Sequence, residues 1–167
     1  DSPANFFIFI STSTIYENSS HEKDVDETAV GNNLSVYAES KLEAEIELLK
    51  IQNKKIFILR PSVIAGPNPK GNIRLLHRLL KTKLPIPIPR YSSPNNLTDI
   101  RNLNEVIEYF VKNYNIVESG IYNINDNSAP DIAAILRSIA TNEGVKVQLI
   151  KIPNKIFKVG LRIISFI

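Results

Sequence analysis

Tyr37 and Lys41 stand four positions apart in the run Tyr37-Ala-Glu-Ser-Lys41, which places both side chains on one face of a helix. A free tyrosine, with an ordinary pKa of about 10, is a poor base at neutral pH. A neighbouring ammonium favours the phenolate, and Lys41 is spaced to supply one. Thr12, just after the apolar run Phe6-Phe-Ile-Phe-Ile10, brings a hydroxyl that would hold a substrate oxygen while a proton moves. The three groups together predict oxidation of an alcohol to a ketone, or the reverse. That chemistry needs a hydride acceptor, so a nicotinamide in the same crevice is expected. Lys41 could also bond the cofactor's ribose.

The elements that must position these groups are legible as an alternation. Phe6 to Ile10 is continuously apolar, as expected of a strand buried on both faces of a parallel sheet. A polar loop follows, from Glu17 to about Asn33, and contains His21, Glu22, Asp24, Asp26 and Glu27. Ser35 to about Gln52 reads as a helix with Ala38, Leu42, Ile46 and Leu49 as its inward stripe and Glu39, Glu43 and Glu47 on a wet face. Lys55-Ile-Phe-Ile-Leu59 is a second buried strand, ending at Arg60-Pro61. Strand, crossover helix and strand form a βαβ unit with a right-handed connection. Ligands of such sheets lie off the carboxyl ends of the strands. Thr12 and Ser62 both fall there, on one rim.

Beyond Gly66-Pro67 the pattern loosens. Gly71 to Leu80 is a short amphipathic helix with Ile73, Leu76, Leu79 and Leu80 inward. Leu84-Pro-Ile-Pro-Ile-Pro89 alternates proline and is an extended edge or a loop rather than a central strand. Asn104 to Asn115 and Asp131 to Asn142 read as helices, Gly120 to Ile124 and Lys146 to Ile152 as strands. Asn125 and Asp126 read as a turn. Ile156 to Ile167 is apolar but broken by Lys158, Gly160 and Arg162, and is too short to span a bilayer. The expected fold is α/β: the later part of a Rossmann-type parallel sheet over residues 1–67, then a smaller α/β substrate-binding lobe over 68–167. Residues 120–124 are expected to return to the main sheet.

Composition narrows the class. The 167 residues suffice for a real core, and 20 basic against 17 acidic residues leave only +3. No basic run or aromatic-basic interleaving suggests nucleic acid. The chain has no Cys, and His21 and His77 are far apart, so no metal site is expected. No signal peptide or membrane span is visible, and the absence of Cys fits a reducing, cytoplasmic setting. The chain holds no Met, opens directly into a strand and stops inside an apolar run, so it reads as an internal piece of a longer protein.

Three motifs carry a resemblance. Phe9-Ile-Ser-Thr-Ser-Thr-Ile-Tyr16, Tyr37-Ala-Glu-Ser-Lys41 and Leu59-Arg-Pro-Ser-Val-Ile-Ala-Gly-Pro67 resemble successive motifs of the extended short-chain dehydrogenase/reductases. Among these, the NAD-dependent epimerase/dehydratase family acting on nucleotide sugars is the most similar group. The likeness runs from Asn5 to about Pro153. It implies Tyr37 as acid/base, Lys41 as its partner and ribose ligand, and Thr12 as the substrate-orienting hydroxyl. Pro61 and Ser62 would line the nicotinamide, and Ser13, Thr14 and Asn72 would contact substrate.

Departures from the family sharpen the expectation. The family's cofactor domain opens with a glycine-rich turn that seats the pyrophosphate on a helix N-terminus, and none of the 6 glycines falls into such a fingerprint. Weak or no dinucleotide binding is therefore expected of the chain taken alone. Dehydrating members place an Asp-Glu pair after the Thr; Ser13-Thr14 stands there instead, which disfavours dehydration. An arginine that holds the diphosphate in several relatives has no counterpart in Asn95-Asn96-Leu97, although Arg90 and Arg101 are near in sequence. Arg74, Arg78 and Lys81 read as a solvated helix face. The start of the Lys70-Gly71-Asn72 helix is a ready anion site. The resemblance implies an enzyme that oxidises and re-reduces C4 of a UDP-sugar with NAD, in surface-polysaccharide synthesis. NADP remains open as cofactor. The rivals are an NAD(P)H-dependent reductase of a 4-keto nucleotide sugar and a non-catalytic dinucleotide sensor. A homodimer through the Tyr37 helix follows from resemblance alone.

Overall fold

Seven residues of one strand, Lys55–Pro61, run almost wholly buried through a three-stranded parallel sheet. The computed structural model describes residues 4–17, 25–66, 71–92, 96–126 and 129–157, with 71–73 as backbone alone. Among the described residues the strands are β1 (Phe6–Ile10), β2 (Lys55–Pro61), β3 (Val63–Ala65), β4 (Ile86–Pro89), β5 (Leu97–Asp99), β6 (Gly120–Ile124) and β7 (Leu149–Ile152). The helices are α1 (Val36–Leu49), α2 (Gly71–Lys81), α3 (Ile100–Lys112) and α4 (Ile132–Asn142). Two compact units result: residues 1–66 with 97–127, and 67–96 with 128–167.

In the first unit the sheet order is β1-β2-β6, all parallel. Phe6 pairs with Lys55 and Ile10 with Leu59, while Phe57 pairs with Gly120 and Pro61 with Ile124. Successive side chains of β2 point to opposite faces. Phe57 and Leu59 pack with Phe110 of α3, against Phe6, Ile8, Tyr122 and Ile124. Phe110 meets Phe57 and Tyr122 edge-on, at centroid separations of 5.1 and 4.9 Å, the geometry aromatic quadrupoles favour. Arg60 alternates to the other side and meets α1. The whole segment 97–126 belongs to this unit, not the strand 120–124 alone. It is held there because β5 pairs with β3, α3 packs on the sheet and β6 pairs with β2.

Four expectations need correction. β1 is not buried on both faces: Phe7 is 47% exposed, its side chain lying on the face away from the Phe57–Phe110 cluster, and among the described residues β1 pairs with β2 alone. The stripe of α1 is rotated. Ala38 and Glu45 turn inward, while Ile46 and Leu49 are each 48% exposed. The physical reason is Arg60: a buried guanidinium without a counter-charge costs far more than two half-exposed aliphatic chains. On α2, Leu76 and Leu80 join the core but Leu79 does not; Ile73's side chain lies outside the described residues. Finally, α3 starts at Ile100 rather than Asn104, because Asp99 is its N-cap and accepts from the Arg101 N–H at 2.8 Å.

The second unit packs α2 and α4 on the parallel pair β4–β7, with Leu80, Ile86, Ile88, Ala133, Leu136 and Ala140 at its centre. The prolines of β4 are compatible with a ladder. Ile86 and Arg90 donate to Gln148 and Ile152 across it, and Pro87 and Pro89 occupy alternate positions whose nitrogens face away. Gly144, at φ +65, ends α4 in the left-handed conformation that glycine adopts without strain. Among the described residues no helix is long and apolar enough to cross a membrane. His21, Glu22, Asp24, Lys70 and Lys158 to Ile167 lie outside the described residues.

Candidate active site

At the carboxyl end of β1 the chain stays on the sheet for one more bond, Ser11 N–H to the Leu59 carbonyl at 2.7 Å. Thr12 then caps a 3-10 turn formed by Ser13–Tyr16. Its Oγ1 accepts from the Thr14 N–H at 3.2 Å and lies 2.9 Å from the Thr14 hydroxyl. Either hydroxyl can donate across that second contact, and Thr12 is 9% exposed. Ser13 and Thr14 are the first two residues of the turn, both half-buried.

Helix α1 begins where the Ser35 hydroxyl accepts from the Ala38 N–H at 3.3 Å. Tyr37 therefore sits in the first turn, 56% exposed, and among the described residues nothing bonds its hydroxyl. Lys41, one turn on, reaches back to the sheet. Its Nζ donates to the Ile10 carbonyl at 2.9 Å and stands 4.6 Å from the Phe9 ring centroid and 6.0 Å from that of Tyr37. The fold thus brings the Tyr37–Lys41 face to the end of β1, two residues before Thr12. No direct Thr12–Tyr37 bond exists among the described residues.

Pro61 and Ser62 close β2 beside Ile124. The Ser62 hydroxyl is turned inward, 2.8 Å from Thr98 Oγ1. Thr98 donates to the Ile124 carbonyl, so Ser62 must be the donor to Thr98. The Ser62 proton is thus spent inside the fold, and Pro61 and Ser62 are both buried. Asn72 belongs to the other unit and its side chain lies outside the described residues. Asp126 is more than a turn: its carboxylate accepts from the Asp99 N–H and the Asn102 amide, fixing the start of α3. Arg101 is engaged by Asp99.

Behind the rim lies a network absent from the sequence reading. The Nε and Nη2 of Arg60 face the Glu45 carboxylate at 2.5 to 3.2 Å. Its Nη1 donates to the Tyr16 hydroxyl at 2.7 Å and the Glu27 carbonyl at 3.0 Å. Tyr16 passes its own proton to Asn123 Oδ1 at 2.6 Å, and the Asn123 N–H donates to Glu27 Oε1 at 3.1 Å. Burial pushes the Tyr16 phenol up despite the opposing bond from Arg60. Burial disfavours the Arg60 charge, but the bonds from Glu45 and Tyr16 outweigh it and raise its pKa. The available signal was Arg60 itself, a charge inside a buried strand, which demands an acidic partner. Glu45, at helical spacing from Lys41, was that partner.

The profile of the NAD dependent epimerase/dehydratase family matches residues 2–124, and the chain belongs to that family. A UDP-glucose 4-epimerase of Vibrio cholerae is 27% identical over 108 residues, covering 62% of this chain and 33% of that protein. Among solved structures, the UDP-glucuronic acid 4-epimerase of Bacillus cereus, in complex with NAD, superposes with a TM-score of 0.70 at 23% identity, covering 88% of this chain and 50% of that one. The dTDP-4-dehydrorhamnose reductase of Bacillus anthracis, in complex with NADP, gives 0.70 at 20% identity, covering 90% and 51%. Such structural likenesses establish the Rossmann-type α/β fold. The chain spans about half the length of these structures and a third of the curated relative.

Proposed function

We propose that this chain forms the proton-transfer half of a nucleotide-sugar epimerase, which oxidises and re-reduces C4 of a UDP-sugar. The observation that carries the reading is the Lys41–Ile10 bond, which holds the Tyr37 face of α1 against the end of β1 beside Thr12. Membership of the family and the UDP-glucose 4-epimerase relative support it.

The residues present fit one end of a dinucleotide. Lys41 has three N–H donors, and one goes to Ile10, which leaves donors for a ribose hydroxyl. Pro61 and Ser62, at the end of β2, would line the nicotinamide. No glycine-rich turn is present to seat the pyrophosphate, so those contacts belong to sequence beyond this chain. When bound, NAD supplies the acceptor for the C4 hydride and returns it, leaving no net redox change. Thr12 donates to the sugar O4 and orients it. Tyr37 takes the O4 proton as the C–O bond becomes a carbonyl, and gives it back once the other face of the 4-keto sugar has been presented. Lys41, whose Nζ lies 6.0 Å from the Tyr37 ring centroid, would stabilise the charge that forms on the phenol. Ser13, Thr14 and Asn72 are the proposed substrate contacts, the unit containing Asn72 being the substrate lobe. Surface-polysaccharide synthesis is the proposed context and the cytoplasm the proposed location. A homodimer through α1 is supported by Val36, Ile46 and Leu49, all exposed on that helix.

A 4-keto nucleotide-sugar reductase would use the same three groups, and the likeness to a reductase fold keeps it as the second reading. Stoichiometry separates them in the full-length gene product. Conversion of a UDP-sugar with catalytic NAD, and no net change in reduced-nicotinamide absorbance, supports the epimerase. Cofactor oxidation that matches turnover supports the reductase. Unchanged function in Tyr37→Phe would point instead to a dinucleotide sensor.

A further inference from the structure

We propose that Arg60 is the positioning residue of this site: by bonding Glu45 on α1 and Tyr16 on the turn behind Thr12 at once, it sets the separation of Tyr37–Lys41 from Thr12. The inference rests on the proton-transfer reading above.

Tyr37 and Lys41 ride on α1, whereas Thr12 rides on the 3-10 turn that follows β1. The Lys41–Ile10 bond ties α1 to the strand through a flexible side chain. It does not fix the turn, which lies beyond Ile10. Tyr16 is the last residue of that turn, and among the described residues its hydroxyl is the group there that bonds Arg60. A guanidinium is planar with its donors in a rigid fork. One side of that plane faces Glu45 on α1, and Nη1 holds both Tyr16 and the Glu27 carbonyl. The segment leading into α1 is thereby held to the same group as the turn and the helix.

The bonds close on themselves. Arg60 holds Tyr16, Tyr16 holds Asn123 on β6, Asn123 holds the Glu27 carboxylate, and the Glu27 carbonyl returns to Arg60. Every member is engaged at least twice, so none can drift alone. Arg60 and Glu45 are 2% and 1% exposed, so neither is placed to touch a ligand. They act through the residues they hold. A misplacement on the order of 1 Å between reacting groups costs roughly 100-fold in rate, which is the tolerance this ring would enforce.

The test uses the full-length gene product with NAD and three probes: UDP-glucose, UDP-N-acetylglucosamine and UDP-glucuronate. Tyr16→Phe deletes one hydroxyl and leaves the Arg60–Glu45 pair intact. It is expected to lower kcat about tenfold while KM and NAD affinity stay within about threefold, since only orientation is lost. In a Thr12→Ala background the same change should have no further effect, because its route to the chemistry is gone. Arg60→Lys should lower kcat roughly 100-fold; if that variant does not fold, the Tyr16–Thr12 pair still decides. A lowered melting temperature with unchanged kcat, or full additivity with Thr12→Ala, overturns the positioning role. Tyr37→Phe separates the two levels. If it is inactive while Tyr16→Phe is normal, the positioning role alone fails. If it turns over normally, or the wild type converts none of the three sugars, the underlying reading fails and the inference goes with it.

Discussion

Helix α1 holds two polar groups in opposite circumstances. Tyr37, in its first turn, is 56% exposed and unbonded at its hydroxyl among the described residues, whereas Glu45, two turns later, is 1% exposed and receives Arg60 on both oxygens. The difference separates the tasks the helix performs. The group proposed to meet a ligand is left with open hydrogen-bonding capacity. A group that must hold position is saturated, because a buried charge with a missing partner is costly. A second contrast isolates burial itself. Arg60–Glu45 and Arg101–Asp99 are both arginine–carboxylate pairs, yet the side chains of the first are 2% and 1% exposed and those of the second 84% and 31%.

The largest effect should come from removing the saturated end. Glu45→Ala leaves the Arg60 charge buried and unpaired, and is expected to cost about 3–5 kcal/mol in chemical denaturation. A midpoint shift no larger than that of an ordinary surface change would break the contrast. Next in size is Tyr37→Phe in the full-length protein, with turnover expected to fall by about two orders of magnitude. Its melting temperature should be unchanged, because the lost hydroxyl bonds nothing in the described fold; equal losses of stability and activity would erase the distinction between the two ends.

Gly31→Ala tests the segment that enters α1. A Cβ there would stand 1.9 Å from the Glu17 carbonyl oxygen, while the Gly31 N–H donates to the Ile15 carbonyl at 2.7 Å. The backbone must shift, at an expected cost of about 1–3 kcal/mol, read from the same denaturation curves. Wild-type stability in that variant would mean the close approach is not required.

The smallest effect belongs to the exposed pair. Arg101→Ala should leave the melting temperature at neutral pH and physiological salt within experimental scatter. Its clearer signature is a titration. The Arg101 side-chain and backbone bonds hold the Asp99 carboxyl down at about 2, below its ordinary 3.8. A depressed carboxylate pKa favours the folded state above the ordinary value, and that contribution is lost as pH falls through about 2. Carbon NMR of the Asp99 carboxyl should therefore show its midpoint move up toward 3.8 in Arg101→Ala. An unmoved midpoint would mean the pair does not form in solution. Calorimetry on the chain alone adds one further check: tight NAD binding without a glycine-rich turn would contradict the expected division of cofactor contacts.

Much of this was written in the linear chain. Phe6–Ile10, Lys55–Leu59 and the helical periodicity between them dictate a βαβ unit, since apolar runs separated by an amphipathic segment have few other ways to bury themselves. The four-residue interval from Tyr37 to Lys41 puts them on one helix face through helical geometry alone. The strands Val63–Ala65 and Leu97–Asp99 were not legible, because three-residue strands carry no periodicity and exist only as partners of each other.

The rotation of α1 was decided by tertiary structure. Periodicity favoured Ile46 and Leu49 as its inward face, but hydrophobicity is a summed, non-directional preference. An ion pair is directional and must be satisfied where the buried charge lies. Arg60, fixed in a central strand, therefore draws Glu45 inward, and the same helix rotation sets Lys41 against Ile10. Sequence alone determined on which elements the proposed proton-transfer groups lie. The long-range bonds among Arg60, Glu45, Tyr16 and Asn123 determined how those elements are held to one another, because contacts between residues 15 to 107 positions apart leave no trace in local spacing.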